Sequence, residues 1–128
     1  MSKGDAGEKI AEYEFNRRGW IMHRHQPPTK VVKTKNGPTV IHLKGAGGIA
    51  DFTGYYLIGR VPVYLACEVK ERKGKTVPCS DVRKDQRDWM ESIPEDSRHV
   101  GIYWKDAGTF EVFPYKRTGS YKMGTSTI

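Results

Sequence analysis

The clearest pattern in the chain is an apolar run at residues 61–70, VPVYLACEVK. Its first seven residues are apolar and rich in β-branched and aromatic types, which predicts a strand buried on both faces in the middle of a sheet. The run ends in Glu68 and Lys70, whose side chains leave the same face because a strand has a period of two. Two interpretations are open. Burying unpartnered charges costs several kcal/mol, which would indicate a functional site at the end of this strand; alternatively, the strand simply emerges into solvent there.

A second strand-like run, GGIADFTGYY, carries Asp51 in an apolar setting. Gly59 and Arg60 predict a hairpin turn between the two runs, which places Asp51 and Glu68 near each other on adjacent strands. Two carboxylates that converge beside Lys70 form an all-oxygen site for a hard divalent cation. Asp51 therefore favours the interpretation of this strand end as a working site.

An amphipathic segment at residues 5–18, DAGEKIAEYEFNRR, predicts a helix that is capped by Gly19. At about 100° per residue, Glu8 falls at the edge of the apolar face, so it could point toward the sheet and join the metal site. The alternative is a first-turn glutamate that only interacts with the helix dipole. The apolar face itself consists of Gly7, Ile10, Ala11 and Phe15.

A segment with few acidic residues precedes Asp51. The Asn-Gly pair at 36–37 predicts the tight turn of a β-hairpin with strands at residues 30–34 and 39–43. We expect this hairpin to project as a basic arm that follows phosphates or probes a DNA junction, and residues 45–48 to form a flexible approach to Asp51. The lysines of the arm are Lys30, Lys33, Lys35 and Lys44.

The second half of the chain predicts a basic loop followed by a helix at about residues 80–93. Gln86 lies in the middle of the apolar stripe of this helix, and a buried amide needs hydrogen-bond partners. It is therefore either a site residue or a structural residue that bonds to the backbone. The candidate DNA contacts here are Arg72, Lys73 and Lys75 of the loop and Arg83 of the helix.

Short apolar runs at residues 20–22, 100–104 and 109–115 predict three further strands. Residues 117–128 are small and polar, which predicts a flexible tail. The order of elements indicates an α/β fold in which helices flank a mixed central β-sheet. At 128 residues, the chain is expected to form a single domain.

The excess of basic over acidic residues narrows the classes of binding partner expected for this domain. A net charge of +7 and an isoelectric point near 9.5 favour a polyanionic partner, most simply nucleic acid, although a basic surface can also be merely solvated. No apolar run approaches the roughly 20 residues of a membrane span, and the amino terminus lacks a secretory core, so we expect a cytoplasmic location without membrane association. Cys67 and Cys79 lack a C-x-x-C spacing and are expected to be buried free thiols.

The order of the motifs resembles the PD-(D/E)XK nuclease superfamily: a helix with Glu8, a strand with Asp51, then Glu68-Val69-Lys70, then a helix with Gln86. Within it, the chain is most similar to RecU-type Holliday junction resolvases, over about residues 26–115. It is shorter than these proteins, and its arm is truncated. The shared blocks are P-T-x-x-V (Pro28, Thr29, Val32), A-D-F-T-G-Y-Y around Asp51, EVKE at 68–71 and K-T-x-P (Lys75, Thr76, Pro78). The segment QRDW at 86–89 also resembles the Q-x-x-W of VRR-type nucleases.

This resemblance implies a restriction-endonuclease-like core and a metal-dependent endodeoxyribonuclease, in a bacterial cell or a phage-infected host. Lys70 would orient and help to deprotonate the attacking water, or offset charge on the phosphate, and Gln86 would belong to the same catalytic set. The ligands of Mg²⁺, or of Mn²⁺ in its place, would be Asp51, Glu68, the main-chain carbonyl of Val69 and Glu8. No small-molecule cofactor is expected.

The implied substrate is branched DNA, a four-way junction resolved by paired symmetric nicks. Because one active site cuts one strand, the resemblance implies a C2 homodimer. One alternative is a VRR-type or other nuclease of the same superfamily that acts on flaps or duplex DNA. Another is a non-catalytic basic DNA-binding module.

Overall fold

The computed structural model describes the backbone of residues 5–25, 29–42 and 50–128, and within these ranges all side chains except those of residues 5, 29–32 and 40–42. These ranges contain two α-helices, α1 (Asp5–Arg17) and α2 (Lys84–Met90), and two short 3-10 helices (Cys79–Asp81 and Glu95–Ser97). The nine strands are β1 (Ile21–Arg24), β2 (Thr29–Thr34), β3 (Gly37–His42), β4 (Phe52–Ile58), β5 (Val61–Arg72), β6 (Thr76–Pro78), β7 (Arg98–Trp104), β8 (Thr109–Pro114) and β9 (Ser120–Lys122). Neither α-helix is long and apolar enough to cross a membrane.

Five of these strands form a central sheet in the order β1-β4-β5-β7-β8. Only β5 and β7 are parallel, and the other neighbours are antiparallel. The predicted mixed α/β fold with a mixed central sheet is confirmed. The hairpin β2–β3 and the pair β6–β9 form two separate two-stranded sheets.

One face of the central sheet is covered by α1. The buried side chains of Ala11 and Phe15 pack against Phe52 of β4, Cys67 of β5 and Val112 of β8. The rings of Phe15 and Phe52 meet edge to face, with centroids 5.2 Å apart. Each fully buried side chain of this size stabilises the fold by about 2 kcal/mol.

The opposite face is covered by α2 and by the β6–β9 pair. Met90 of α2 packs against Ala66 of β5, while Tyr121 of β9 packs in a cluster with Val77 and Trp104. Side chains at alternate positions of β5 therefore point into two different cores, so Glu68 and Lys70 lie on the α2 side and Val69 on the α1 side.

The carboxyl end of α1 is fixed by a glycine, as the sequence predicts. Gly19 has φ 77°, a conformation that residues with a Cβ rarely adopt. Its N–H donates to the carbonyl of Asn16 at 3.0 Å, and the N–H of Trp20 donates to the carbonyl of Phe15 at 2.9 Å. This pair of bonds is a Schellman motif, which satisfies the last carbonyls of the helix and directs the chain into β1.

The structure corrects the prediction that residues 61–67 are buried on both faces. Val61 is 64 % exposed and Tyr64 is 42 % exposed, and the strand becomes buried only from Leu65 onward. The reason lies in the strand order, because β7 first pairs with β5 opposite Ala66. Before that point, β4 is the only described strand that pairs with β5.

Two further elements differ from their predicted form. The helix predicted at residues 80–93 is divided into a 3-10 turn (Cys79–Asp81) and the shorter α2, whose N-cap is Arg83 rather than Ser80 or Asp81. Asp81 pairs with Arg72 instead of capping a helix. The carboxyl-terminal segment predicted to be a flexible tail contains β9, which pairs with β6 and buries Tyr121 completely.

Candidate active site

The hairpin β4–β5 brings Asp51 and Glu68 to the same place. Ile58 pairs with Val61 across the turn, Gly59 takes a positive φ of 61°, and the register continues to Phe52 opposite Cys67. Asp51 precedes Phe52, so the same register sets it opposite Glu68, on the same face. The predicted hairpin is confirmed.

A hydrogen bond to the backbone of β5 fixes the Asp51 side chain. The N–H of Val69 donates to Asp51 Oδ2 at 2.9 Å. In an extended strand, the N–H and C=O of one residue point toward the same neighbour. The carbonyl oxygen of Val69 therefore faces the side on which Asp51 lies.

Glu68 is the most deeply buried carboxylate of the described residues. Its side chain is 2 % exposed, and Oε1 accepts a hydrogen bond from Gln86 Nε2 at 2.9 Å, whereas Oε2 is buried without a partner in the described structure. Burial raises the pKa of Glu68 to about 9, and the charge of the neighbouring Asp51 adds to this shift. Lys70 and Arg83 act in the opposite direction. Two adjacent carboxylates without a cation thus disfavour the charged form of Glu68.

Gln86 connects Glu68 and Lys70 of β5. Its Nε2 donates to Glu68, and its Oε1 accepts from Lys70 Nζ at 3.2 Å and from the backbone N–H of Arg83 at 3.1 Å. The bond to Arg83 satisfies a free donor at the start of α2, so both of the predicted roles, a site contact and a backbone bond, are present in one side chain. Because two donors fix Oε1, the amide group can only turn its NH₂ toward Glu68.

These residues line a cleft of about 440 Å³ at the carboxyl end of β5. The strands β5 and β7 are parallel, so both end at this edge of the sheet and add polar side chains from the segments that follow. The cleft contains carboxylates and cations in equal number. Its lining residues are Glu8, Asp51, Glu68, Val69, Lys70, Glu71, Arg72, Arg83, Gln86 and Lys105.

Glu8 of α1 lies in the same cleft, as its position on the helix predicts. Its side chain is 20 % exposed, and Oε2 forms a salt bridge with Nη2 of Arg24 at the end of β1. Glu8 thus lines the same cleft as Asp51 and Glu68, but its carboxylate is paired with a cation. Its role as a metal ligand stays a prediction.

Sequence analysis missed two residues of the cleft, Glu71 and Lys105. Lys105 Nζ pairs with Glu71 Oε1 at 3.3 Å, and Glu71 Oε2 is buried without a partner in the described structure. Lys105 directly follows β7, but this position predicts a place in the cleft only if β7 is known to run parallel to β5. Lys105 lies in the cleft because parallel neighbouring strands end at the same edge of the sheet.

The predicted DNA-binding residues fall into three groups. Arg72 and Arg83 line the cleft, where Arg72 pairs with Asp81 at 3.1 Å and Arg83 with Asp85 at 3.5 Å. Exposed positions are occupied by Lys33, Lys35, Lys73 and Lys75. Lys44 and the side chain of Lys30 lie outside the described residues, as does the predicted flexible segment 45–48.

The basic hairpin predicted around residues 36–37 is present as β2 and β3, with Thr34 paired to Gly37. It is inserted between His25 and Asp51, and these two residues are neighbours in space because the N–H of His25 donates to the carbonyl of Asp51 at 2.7 Å. The chain therefore leaves the central sheet for the hairpin, and returns from it, beside the cleft.

The donor set fits a hard divalent cation. Asp51 and Glu68 supply adjacent carboxylate oxygens, one of which has no partner, and the carbonyl of Val69 faces the same side. Across residues 5–25, 29–42 and 50–128, no three His, Cys, Asp or Glu side chains converge as a metal cluster. Two carboxylates and a carbonyl suit Mg²⁺, which usually keeps several waters and takes few protein ligands.

Neither the scan against protein-family models nor the search of curated proteins finds a match for this chain.

In buffer without divalent cations, the advantage in stability of Glu68→Gln over the wild type is expected to grow as the pH rises. The pKa of Glu68 is raised from 4.5 to about 9 in the folded protein, so the carboxyl stabilises the fold fully below pH 4.5 and loses this contribution as the pH approaches 9. Glutamine keeps the acceptor for Gln86 and carries no charge. We expect a gain of about 2 kcal/mol in the free energy of unfolding near neutral pH.

Urea unfolding of both proteins across this pH range measures the difference. Glu12→Gln, at an exposed position of α1, is the matched control and should show little dependence on pH. A constant difference between Glu68→Gln and the wild type would show that Glu68 ionises normally in the folded state.

Proposed function

We propose that this protein is a metal-dependent, structure-selective DNA endonuclease with a restriction-endonuclease-like core. One observation carries the proposal: the buried Glu68 lies beside the half-buried Asp51 and is joined through Gln86 to Lys70, in a cleft that also contains Arg72, Arg83 and Lys105. Holding the Glu68 carboxylate away from water beside a second carboxylate costs stability, and binding of a cation by the pair during function would explain this cost.

Asp51, Glu68 and the carbonyl of Val69 would hold Mg²⁺ or Mn²⁺, with Glu8 available if its pair with Arg24 opens. When bound, the ion lowers the pKa of a coordinated water and offsets charge on the phosphate. Without it, the folded protein holds a proton on Glu68 at neutral pH, because its pKa is raised to about 9. Binding of the ion is therefore expected to release this proton.

The reaction is the hydrolysis of one phosphodiester bond. Water adds to phosphorus and the bond to the 3′ oxygen breaks, so that the products carry a 5′-phosphate and a 3′-hydroxyl. Lys70 would orient the water and help to deprotonate it, or donate to a phosphate oxygen as charge develops. Gln86 holds the Lys70 ammonium beside Glu68 without a direct ion pair between them.

Branched DNA, and a four-way junction in particular, is the proposed substrate. The hairpin β2–β3 departs from the sheet next to the cleft, and Lys33 and Lys35 are exposed on it. A cationic hairpin inserted between His25 and Asp51 could follow a second DNA arm while the cleft holds the strand to be cut. Because one site cuts one strand, two copies of the chain would act together on a junction.

We expect the purified protein to nick labelled four-way junctions symmetrically in Mg²⁺ and to leave them intact in EDTA. Flap, linear duplex and single-stranded substrates, incubated in parallel, distinguish the alternatives. Cutting of flaps or duplex in preference to junctions would favour a VRR-type or related nuclease. Binding to all substrates without cleavage in Mg²⁺ or Mn²⁺ would favour a non-catalytic DNA-binding module and contradict the proposal.

A further inference from the structure

The cleft extends across the end of β5 from one face of the central sheet to the other. Five consecutive residues of this strand, 68–72, line the cleft, and alternate side chains of a strand leave opposite faces. Glu68 and Lys70 therefore enter the cleft on the α2 side, whereas Glu71 enters it on the α1 side. One residue of α1 and one of α2 also line the cleft, and these helices cover opposite faces. A chain bound in the cleft would thus cross the edge of the sheet between the two helices.

Three of the four cations that line the cleft are held on the α2 side. These cations and their partners are Lys70 with Gln86, Arg72 with Asp81, and Arg83 with Asp85. The fourth cation, Lys105, pairs with Glu71, whose Oε1 is 3.3 Å from the lysine Nζ. Among the described residues that line the cleft, Lys105 is therefore the cation held on the α1 side.

The position of Lys105 follows from the pairing of β7 with β5. The paired register ends at Trp104 opposite Arg72, and the N–H of Lys105 donates to the carbonyl of Arg72 at 2.9 Å, so the ladder continues for one residue beyond β7. Trp104 packs in the core on the α2 side, so the next side chain along the extended backbone points to the α1 side. Lys105 lies three residues beyond the residue that pairs with Lys70, about 10 Å farther along the strands.

Glu71 orients Lys105 without enclosing it. The side chain of Glu71 is 13 % exposed, whereas that of Lys105 is 39 % exposed. Glu71 Oε2 is buried, and it lies 3.4 Å from the position that a Cβ on Gly7 would occupy in the first turn of α1. The amino-terminal end of a helix favours a negative charge. The fold thus fixes the carboxylate, while the ammonium that it holds stays accessible from the cleft.

We propose that Lys105, positioned by Glu71, binds a phosphate close to the one that is cut, so that the cut strand runs across the end of β5 from the α2 side to the α1 side. This contact presupposes the proposed function, because the scissile phosphate is placed at Asp51 and Glu68. One strand of DNA carries a phosphate every 3.4 Å or so of axis, roughly, so a strand bound there presents another phosphate to Lys105. Since Lys70 and Lys105 lie on opposite sides of the sheet edge, they contact different phosphates.

A phosphate contact and a purely structural ion pair lead to different results for substitutions at these two positions. If Glu71 and Lys105 only join β5 to the end of β7, Lys105→Met and Glu71→Gln lower stability and leave the contacts to DNA unchanged. If Lys105 binds a phosphate, Lys105→Met weakens DNA binding. Glu71→Gln then strengthens binding, because it removes a negative charge beside the same phosphate.

Single methylphosphonate substitutions test the contact, because each one removes the charge of one phosphate. The probe is the DNA that the wild type binds most tightly among a four-way junction, a flap and a duplex, and affinity is measured by fluorescence anisotropy in EDTA. We expect the wild type to lose about threefold to tenfold in affinity at a phosphate within about three positions of the nick made in Mg²⁺. Lys105→Met should abolish this loss and reduce the slope of log affinity against log salt by about one.

The other variants define the roles of the two side chains. Lys105→Arg keeps the cation and should keep the wild-type pattern of sensitive phosphates. Glu71→Gln is expected to bind DNA about twofold to threefold more tightly and to spread the sensitivity over neighbouring phosphates, because the ammonium is no longer fixed. Lys9→Met, at an exposed position of α1, is the matched control and should show the wild-type pattern. Thermal unfolding checks that each variant is folded.

A Lys105→Met protein with the wild-type pattern and salt slope would overturn the proposal, and so would a Glu71→Gln protein that binds DNA as weakly as Lys105→Met. If the wild type nicked DNA in Mg²⁺ in either case, the proposed nuclease function would stand. The expected pattern in EDTA without any nick in Mg²⁺ or Mn²⁺ would instead remove the nuclease function and leave the contact. A wild type that binds none of the three DNAs would overturn both.

Discussion

Asp51→Asn and Glu68→Gln are each expected to reduce cleavage of a four-way junction roughly a thousandfold or more, while DNA binding stays within a few-fold of the wild type. The two carboxylates lie side by side, and Glu68 Oε2 has no other partner in the described structure. An amide in place of either one removes a charge and an oxygen ligand from the proposed metal site. Affinity for DNA depends on contacts from Lys and Arg to phosphates, which neither change removes.

Single-turnover cleavage in Mg²⁺ and fluorescence anisotropy in EDTA measure the two effects separately. Glu12→Gln makes the same chemical change at an exposed position of α1 and should cut at the wild-type rate. Because Glu68→Gln is also expected to be more stable than the wild type, unfolding cannot explain its loss of activity. Normal cleavage by either site variant would show that the reaction does not require the carboxylate pair.

Lys70→Met is expected to lower the rate of cleavage about a hundredfold to a thousandfold, with a much smaller effect on binding. Methionine has a similar length but no ammonium group, so it can neither orient water nor offset charge on the phosphate. The ammonium of Lys70 is held by Gln86 Oε1 at 3.2 Å, and the amide therefore positions the group that the proposed reaction would use. A loss that appears in the rate and not in affinity separates this role from simple phosphate attraction.

Lys9→Met, at an exposed position of α1, is the matched control for the loss of one lysine. It should leave the rate unchanged. If Lys70→Met instead weakened binding and left the rate of bound complexes intact, Lys70 would be a DNA contact, and the proposed chemistry of the cleft would need another residue.

Much of the candidate site could be predicted from sequence because its signals are local. The turn at Gly59 and the period of two along β4 and β5 place Asp51 opposite Glu68 without any knowledge of the other strands. Gln86 stands out as the polar residue in an apolar helical stripe, and its burial in the structure follows from the same spacing. The end of α1 at Gly19 is likewise a property of one short segment.

Other features could not be predicted because they depend on which strands become neighbours. The amino-terminal half of β5 is as apolar as a buried strand, yet it is exposed because β7 joins the sheet only at Ala66. Small, polar neighbours around Tyr121 indicated a loose tail, whereas β9 pairs with β6 and buries this ring. The hydrophobicity of a segment determines whether it can be buried, whereas the elements that pack next to it determine whether it is buried in the fold.

The sequence by itself thus predicted that Asp51, Glu68, Lys70 and Gln86 belong to one site, because turns and periodicity act over a few residues. The tertiary structure alone decided which further charges share the cleft and which apolar side chains of the described residues are exposed. Lys105 reaches Glu71 because β7 runs parallel to β5. Strand order depends on packing across the whole domain, so no local pattern in the sequence predicts it.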